Sequence, residues 1–154
     1  ASLLDLQFYC CNGEVLFGWI TGGEKRPPTA YGIFEPDGTQ RPVEAIVPVL
    51  RPGRSWMPAG SRPPAVWPRA VAIARRLSQG IDFVRVDFML AAGELYAAEM
   101  TVFVSGGYGL ATVPGFADDW RDRWDIAQSW FLATPQSGWR GIYASALKRV
   151  LKTS

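Results

Sequence analysis

The chain has 154 residues, 48% hydrophobic and 19% charged, with a formal net charge of +2. This is the composition of one globular domain, long enough to bury a core. So small a charge, with no basic run, argues against a nucleic-acid partner, and no apolar run approaches the roughly 18 residues of a membrane span. The absence of histidine excludes histidine triads, histidine general bases and His-rich zinc sites.

The start, Ala1-Ser2-Leu3-Leu4-Asp5, has no positively charged n-region and no initiator Met. It opens directly into a strand pattern, so a segment cut from inside a larger, cytoplasmic protein is expected. Residues 3–20 predict a hairpin turning at Asn12-Gly13, a strong short-range signal for paired strands. Cys10 and Cys11 are neighbours on its first strand and should point to opposite faces, so a reduced pair is expected rather than a disulfide.

Residues 21–63 are rich in Gly, Pro and Arg. Proline removes backbone donors, so long helices and central strands are not expected there. Two short strands are predicted, Ala30–Phe34 before the Pro36-Asp37-Gly38 turn and Val43–Leu50 around Pro48. The excursion is either a surface loop with Arg for solubility or a flap whose Arg51, Arg54 or Arg62 meets an anionic ligand. Residues 64–79 predict a helix with Val66, Ala70, Ile73, Ala74 and Leu77 on its apolar stripe. Pro63 and Pro64 suit its first turn, Gly80 its C-terminal side, and Arg69, Arg75 and Arg76 its solvated face.

Stretch 83–101 predicts a second hairpin, with Gly93 in a three-residue turn. Asp87 then falls opposite Glu99. Alternation sets Arg85, Asp87, Glu99 and Thr101 on one face, and Val84, Val86, Phe88, Tyr96, Ala98 and Met100 on the other. Directly opposed carboxylates repel unless something positive lies between them. That partner is either Arg85, in a local salt bridge, or a hard divalent cation such as Mg²⁺, which takes oxygen ligands. After Val102-Phe103-Val104 comes Ser105-Gly106-Gly107-Tyr108-Gly109, a turn whose backbone N–H groups could also form an anion nest. Two further helices are predicted. Helix 117–132 has Asp118 or Asp119 near its start and a stripe of Trp120, Trp124, Ala127 and Phe131. Helix 137–151 has Trp139, Ile142, Tyr143, Ala146, Leu147 and Val150 on one face, with Lys148, Arg149 and Lys152 at its C-terminal end. The tryptophans are read as packing residues.

Arg85-Val86-Asp87, the glycine turn, Glu99-Met100-Thr101 and the Ser105–Gly109 loop resemble the C-terminal half of an ATP-grasp ligase. Asn12-Gly13-Glu14 and Trp124-Asp125-Ile126 make the TupA-like ATP-grasp family, associated with cell-surface polysaccharide and teichuronopeptide biosynthesis, the nearest likeness. The likeness covers roughly residues 3–17 and 64–132. Asp5 matches the family's acidic residue at the strand start, whereas members usually carry Lys or Arg where this chain has Gln7.

The resemblance implies an α+β fold, an antiparallel sheet carrying both hairpins with helices packed on one face. It implies a single domain that lacks the ATP-binding N-terminal half. It further implies an ATP- and Mg²⁺-dependent carboxylate–amine ligase, in which ATP phosphorylates a carboxylate and an amine attacks the acyl phosphate. Asp87 and Glu99 would then hold Mg²⁺ and the nucleotide phosphates, with Thr101 as a third ligand. Arg85 would stabilise developing charge, and Ser105, Gly106 and Gly107 would contact the acceptor. The substrates would be small or saccharide-linked carboxylates and amines, and this chain alone would turn over nothing. A degenerate, non-catalytic module that recognises a saccharide or a protein stays open beside it.

Overall fold

The computed structural model describes residues 3–22, 29–42, 53–104, 120 and 122–152. The strands are β1 (Leu4–Cys11), β2 (Glu14–Gly22), β3 (Thr29–Phe34), β4 (Arg54–Trp56), β5 (Val84–Ala91) and β6 (Glu94–Thr101). They form one sheet in the order β4-β3-β2-β1-β5-β6. Helix α1 is Trp67–Leu77, α2 is the single turn Trp130–Ala133, and α3 is Gly138–Leu151. The fold is α+β. Every strand pair is antiparallel except β3–β4, which is parallel. Val43–Leu50 lies outside the described residues. β4, in the Arg- and Pro-rich stretch, was not expected; three residues carry too little alternation to announce a strand.

Asn12 and Gly13 both have positive φ, 47° and 87°, the geometry of the two-residue hairpin turn whose twist matches the strands. Leu6, Phe8 and Cys10 of β1 share a face with Val84, Val86, Phe88 and Leu90, and α1 covers that face. The helix starts at Trp67, three residues beyond Pro64, with Pro68 in its first turn. Its buried residues are Trp67, Ala70, Val71 and Ala74, while Leu77 is exposed. The stripe is therefore turned toward Trp67 and Val71. Trp67 sets this orientation. Its ring lies 4.7 Å from Phe8 and 5.7 Å from Phe34, and its indole N–H donates to the Glu35 carbonyl at 3.1 Å. Gly18 makes room for it, because a Cβ there would lie 2.2 Å from the Trp67 ring.

The opposite face holds a smaller cluster, Tyr9, Cys11, Leu16, Phe17, Ile33, Phe83 and Val104, with Trp120 packed against it. Cys10 and Cys11 fall on opposite faces, both buried and both free thiols. Burial pushes Cys10 up to about 11 and Cys11 up to about 12, so neither is a nucleophile at neutral pH.

The expected helix 117–132 is not continuous. Its start at Asp118 or Asp119 lies outside the described residues. Residues 124 and 125 are not helical, and a 3₁₀ turn, Ile126–Gln128, precedes α2. Two side-chain caps explain the break. Asp125 accepts from the Ala127 N–H, Ser129 accepts from the Leu132 N–H, and both residues have extended ψ. Short polar side chains of this kind offer the backbone an alternative to helical hydrogen bonds. α3 lies at the expected place, with Lys148 and Arg149 in its last turn.

Candidate functional site

β5 and β6 turn through Ala92 and Gly93, at φ 52° and 85°. This is a two-residue turn rather than the three-residue one expected, and Ala91 faces Glu94 across it. On its own such a turn would set Asp87 opposite Ala98. A bulge after Asp87 adds one residue to β6 and restores Asp87 opposite Glu99, with Arg85 opposite Thr101. The expected pairing is present by a different route. The bulge has a second consequence. Tyr96 pairs with Met89 and so lies on the carboxylate face, not on the core face with Val86 and Phe88.

β1 extends this face. Gln7 pairs with Asp87, Asp5 with Met89 and Tyr9 with Arg85. Asp5 and Asp87 are each only 8% exposed, whereas Glu99 stands in solvent. A cleft of about 150 Å³ opens among Asp5, Gln7, Asp87, Met89 and Glu99.

The two carboxylates are bridged. Arg85 donates from Nε to Asp87 Oδ1 at 2.7 Å and from Nη2 to Asp87 Oδ2 at 2.6 Å. The same Nη2 reaches Thr101 Oγ1 at 3.4 Å, and that hydroxyl donates to Glu99 Oε1 at 2.9 Å. The local ion pair, one of the two arrangements the sequence left open, is formed. Burial works against the Arg85 cation. The hydrogen bonds and charge of Asp87 outweigh it and hold the guanidinium above its ordinary pKa. Burial raises the Tyr9 hydroxyl, opposed by the neighbouring Arg85.

The donor set fits Mg²⁺ in part. Two hard carboxylates meet on one face beside a cleft, and Mg²⁺ needs only one or two of these when phosphates complete its shell. The hydroxyl of Thr101, expected as a third ligand, lies between Arg85 and Glu99. Among the described residues no group of three or more acidic or thiol side chains is arranged to hold a metal ion. Ser105, Gly106 and Gly107, the expected acceptor loop, lie outside the described residues, as does Arg51.

The same face carries an aromatic group the sequence did not announce. Trp19, Tyr31 and Trp56, from β2, β3 and β4, have ring centroids 5.8–6.2 Å apart. The Arg54 guanidinium lies 5.7 Å from the Tyr31 ring, so Arg54 sits on the sheet instead of in a flap. Alternation around Trp19 was the available signal, but the β3–β4 pairing that assembles the group spans a stretch without a readable pattern. Arg62 is elsewhere, lining a separate polar cleft of about 380 Å³ with Asp37 and Gln40.

Compared with known proteins, the chain matches no family model, no curated protein and no solved structure.

Proposed function

We propose that the face bearing Arg85, Asp87 and Glu99 is the metal- and phosphate-binding half of a carboxylate–amine ligase site of the ATP-grasp type. The observation that supports it most is the register, which opposes Asp87 and Glu99 on one sheet face beside a cleft that Asp5 and Gln7 complete. Mg·ATP would supply the phosphoryl group that activates a carboxylate toward an amine, in a cytoplasmic protein of surface-polysaccharide assembly. The chain's own residues would do the rest. Asp87 and Glu99 would hold the cation. Arg85 would leave Asp87 and supply fixed positive charge that lowers the barrier to phosphoryl transfer.

The bidentate Arg85–Asp87 pair favours a second reading, a related module that binds without turnover, because the cation must displace an arginine already in place. Paramagnetic Mn²⁺ with ATP tests the site. The expected result is broadening of amide signals around residues 87 and 99, lost in Asp87→Asn. No broadening, or the same broadening in Asp87→Asn and Glu99→Gln, would remove the metal site and with it the ligase. Phosphate release, assayed with a nucleotide-binding segment joined ahead of β1, separates the two readings. Release that Asp87→Asn abolishes belongs to a ligase, and binding without release to the module.

A further inference from the structure

Asp87 can be reached from two directions. On the carboxylate face the residues stand in rows across the sheet. Tyr9, Arg85 and Thr101 form one row, and Gln7, Asp87 and Glu99 the next. The cleft extends from the Asp87 row toward Asp5 and Met89, away from Arg85. The guanidinium therefore approaches the carboxylate on one side and the cleft opens on the other. Both Asp87 oxygens are already taken. Nε and Nη2 of Arg85 hold one each, at 2.7 and 2.6 Å, in the two-pronged geometry that makes arginine–carboxylate pairs strong. The Thr101 hydroxyl carries the chain of hydrogen bonds on to Glu99.

A divalent cation entering from the cleft would set two cations on the one carboxylate of Asp87. The side chains of the pair are only 16% and 10% exposed, so water and salt screen that repulsion weakly. Displacing Arg85 does not by itself remove the cost, because the guanidinium is then left partly buried beside the ion without a counter-charge. An anion on Arg85 removes it. Phosphate offers the paired oxygens that the guanidinium fork takes in place of a carboxylate, and its other oxygens can ligate the cation. Tyr9 hydrogen-bonds the guanidinium, and its ring is stacked on Phe17 at 4.6 Å. That contact is a fixed station for Arg85 once Asp87 is released.

We propose that Arg85 is a latch coupling two ligands, so that this face holds a divalent cation only together with a phosphate-bearing anion, which draws the guanidinium off Asp87 as the cation takes its place. The latch rests on the metal- and phosphate-binding reading of the face, and it names the ligand as the metal–phosphate complex rather than free metal. A latch closed in roughly nine molecules of ten weakens binding of the free cation about tenfold. Amide broadening around residues 87 and 99 of the full chain, titrated with Mn²⁺ alone and with Mn²⁺ in slight excess of pyrophosphate, tests this. In the wild-type chain the mixture should saturate the signals at a concentration roughly tenfold or more below that needed with Mn²⁺ alone. Arg85→Lys keeps the charge and loses the fork. It should bind Mn²⁺ alone roughly tenfold more tightly than wild type and gain little further from pyrophosphate. An arginine that only braces the strands would not raise metal affinity when replaced. The latch is overturned, and the metal site kept, if the wild-type chain binds Mn²⁺ alone as tightly as with pyrophosphate, or if pyrophosphate merely strips the ion away. It is also overturned if folded Arg85→Lys gains no affinity for Mn²⁺ alone. The two wild-type titrations decide the matter even if that variant does not fold. No broadening in either protein under either condition would remove the metal site itself, and the latch with it.

Discussion

The two hairpins use one device to different ends. Each turns through two residues at positive φ and each carries a bulge. β1 and β2 lie inside the sheet and are buried on both faces. β5 is buried too, but its partner β6 is an edge strand with six of eight residues exposed. The carboxylate pair straddles that boundary, with Asp87 on the sealed strand and Glu99 on the open one. The first hairpin is thus held by packing, and the second is a core strand carrying a charged, accessible neighbour. Removing chemically similar groups from the two sides should have unequal effects.

The largest effect should come from the sealed side. Trp67→Ala removes the ring that joins α1 to Phe8, Phe34 and Gly18, and should lower stability in urea by about 3–5 kcal/mol. Next is the boundary. Arg85→Ala removes the guanidinium paired with the nearly buried Asp87. Breaking a fully buried pair costs about 3–5 kcal/mol, and with side chains 16% and 10% exposed a loss of about 2–3 kcal/mol is expected. Glu99→Gln, in solvent, should cost less than about 1 kcal/mol. Equal losses for the two variants in denaturant melts would erase the distinction between the strands.

Thiol burial gives a pH test of the packed hairpin. The folded Cys10 titrates at about 11 against an ordinary 9.0. A raised folded pKa means its contribution is intact below pH 9 and lost as pH rises toward 11, because only the unfolded thiol has ionised. In that window it should add a slope of up to about 1.4 kcal/mol per pH unit, absent from Cys10→Ala. The smallest effect compares the turns. Ala92 occupies a left-handed conformation that Asn12 occupies in the first hairpin, and an L-residue such as Ala pays roughly 1 kcal/mol there. Ala92→Asn should raise the melting temperature by about 3 °C, while Asn12→Ala should lower it by a similar amount.

Much of this architecture was readable from residue pattern. Asn12-Gly13 names its turn, and period-two alternation sorts Leu6, Phe8, Val84 and Val86 from Asp5, Gln7, Arg85 and Asp87. The opposition of Asp87 and Glu99 was also legible, but the reason for it was not. Alternation cannot distinguish a three-residue loop from a two-residue turn followed by a bulge, and so Tyr96 was assigned to the wrong face. The split of 117–132 was hidden because Asp125 and Ser129 fit an amphipathic stripe as well as they fit caps. Trp67 and Val71 were missed because aliphatic spacing alone gave an adequate stripe, and only the notch at Gly18 shows which way the helix turns. The stripe on α3 was read correctly as a face, and its Trp139 incorrectly as a packing residue, since periodicity reports a helix's sidedness without naming its neighbour.

The central seam of the sheet pairs Leu4 with Leu90 and Gln7 with Asp87. Each hairpin closes a loop of a few residues and can form within microseconds. Joining β1 to β5 has to close nearly the whole intervening chain, with the entropy of that closure met before any contact rewards it. The cleft beneath Asp5 and Asp87 therefore belongs to the last event of folding. In stopped-flow experiments, probes at the two turns should change before any probe that reports Gln7 against Asp87, and an early-folding species would carry both hairpins and no site.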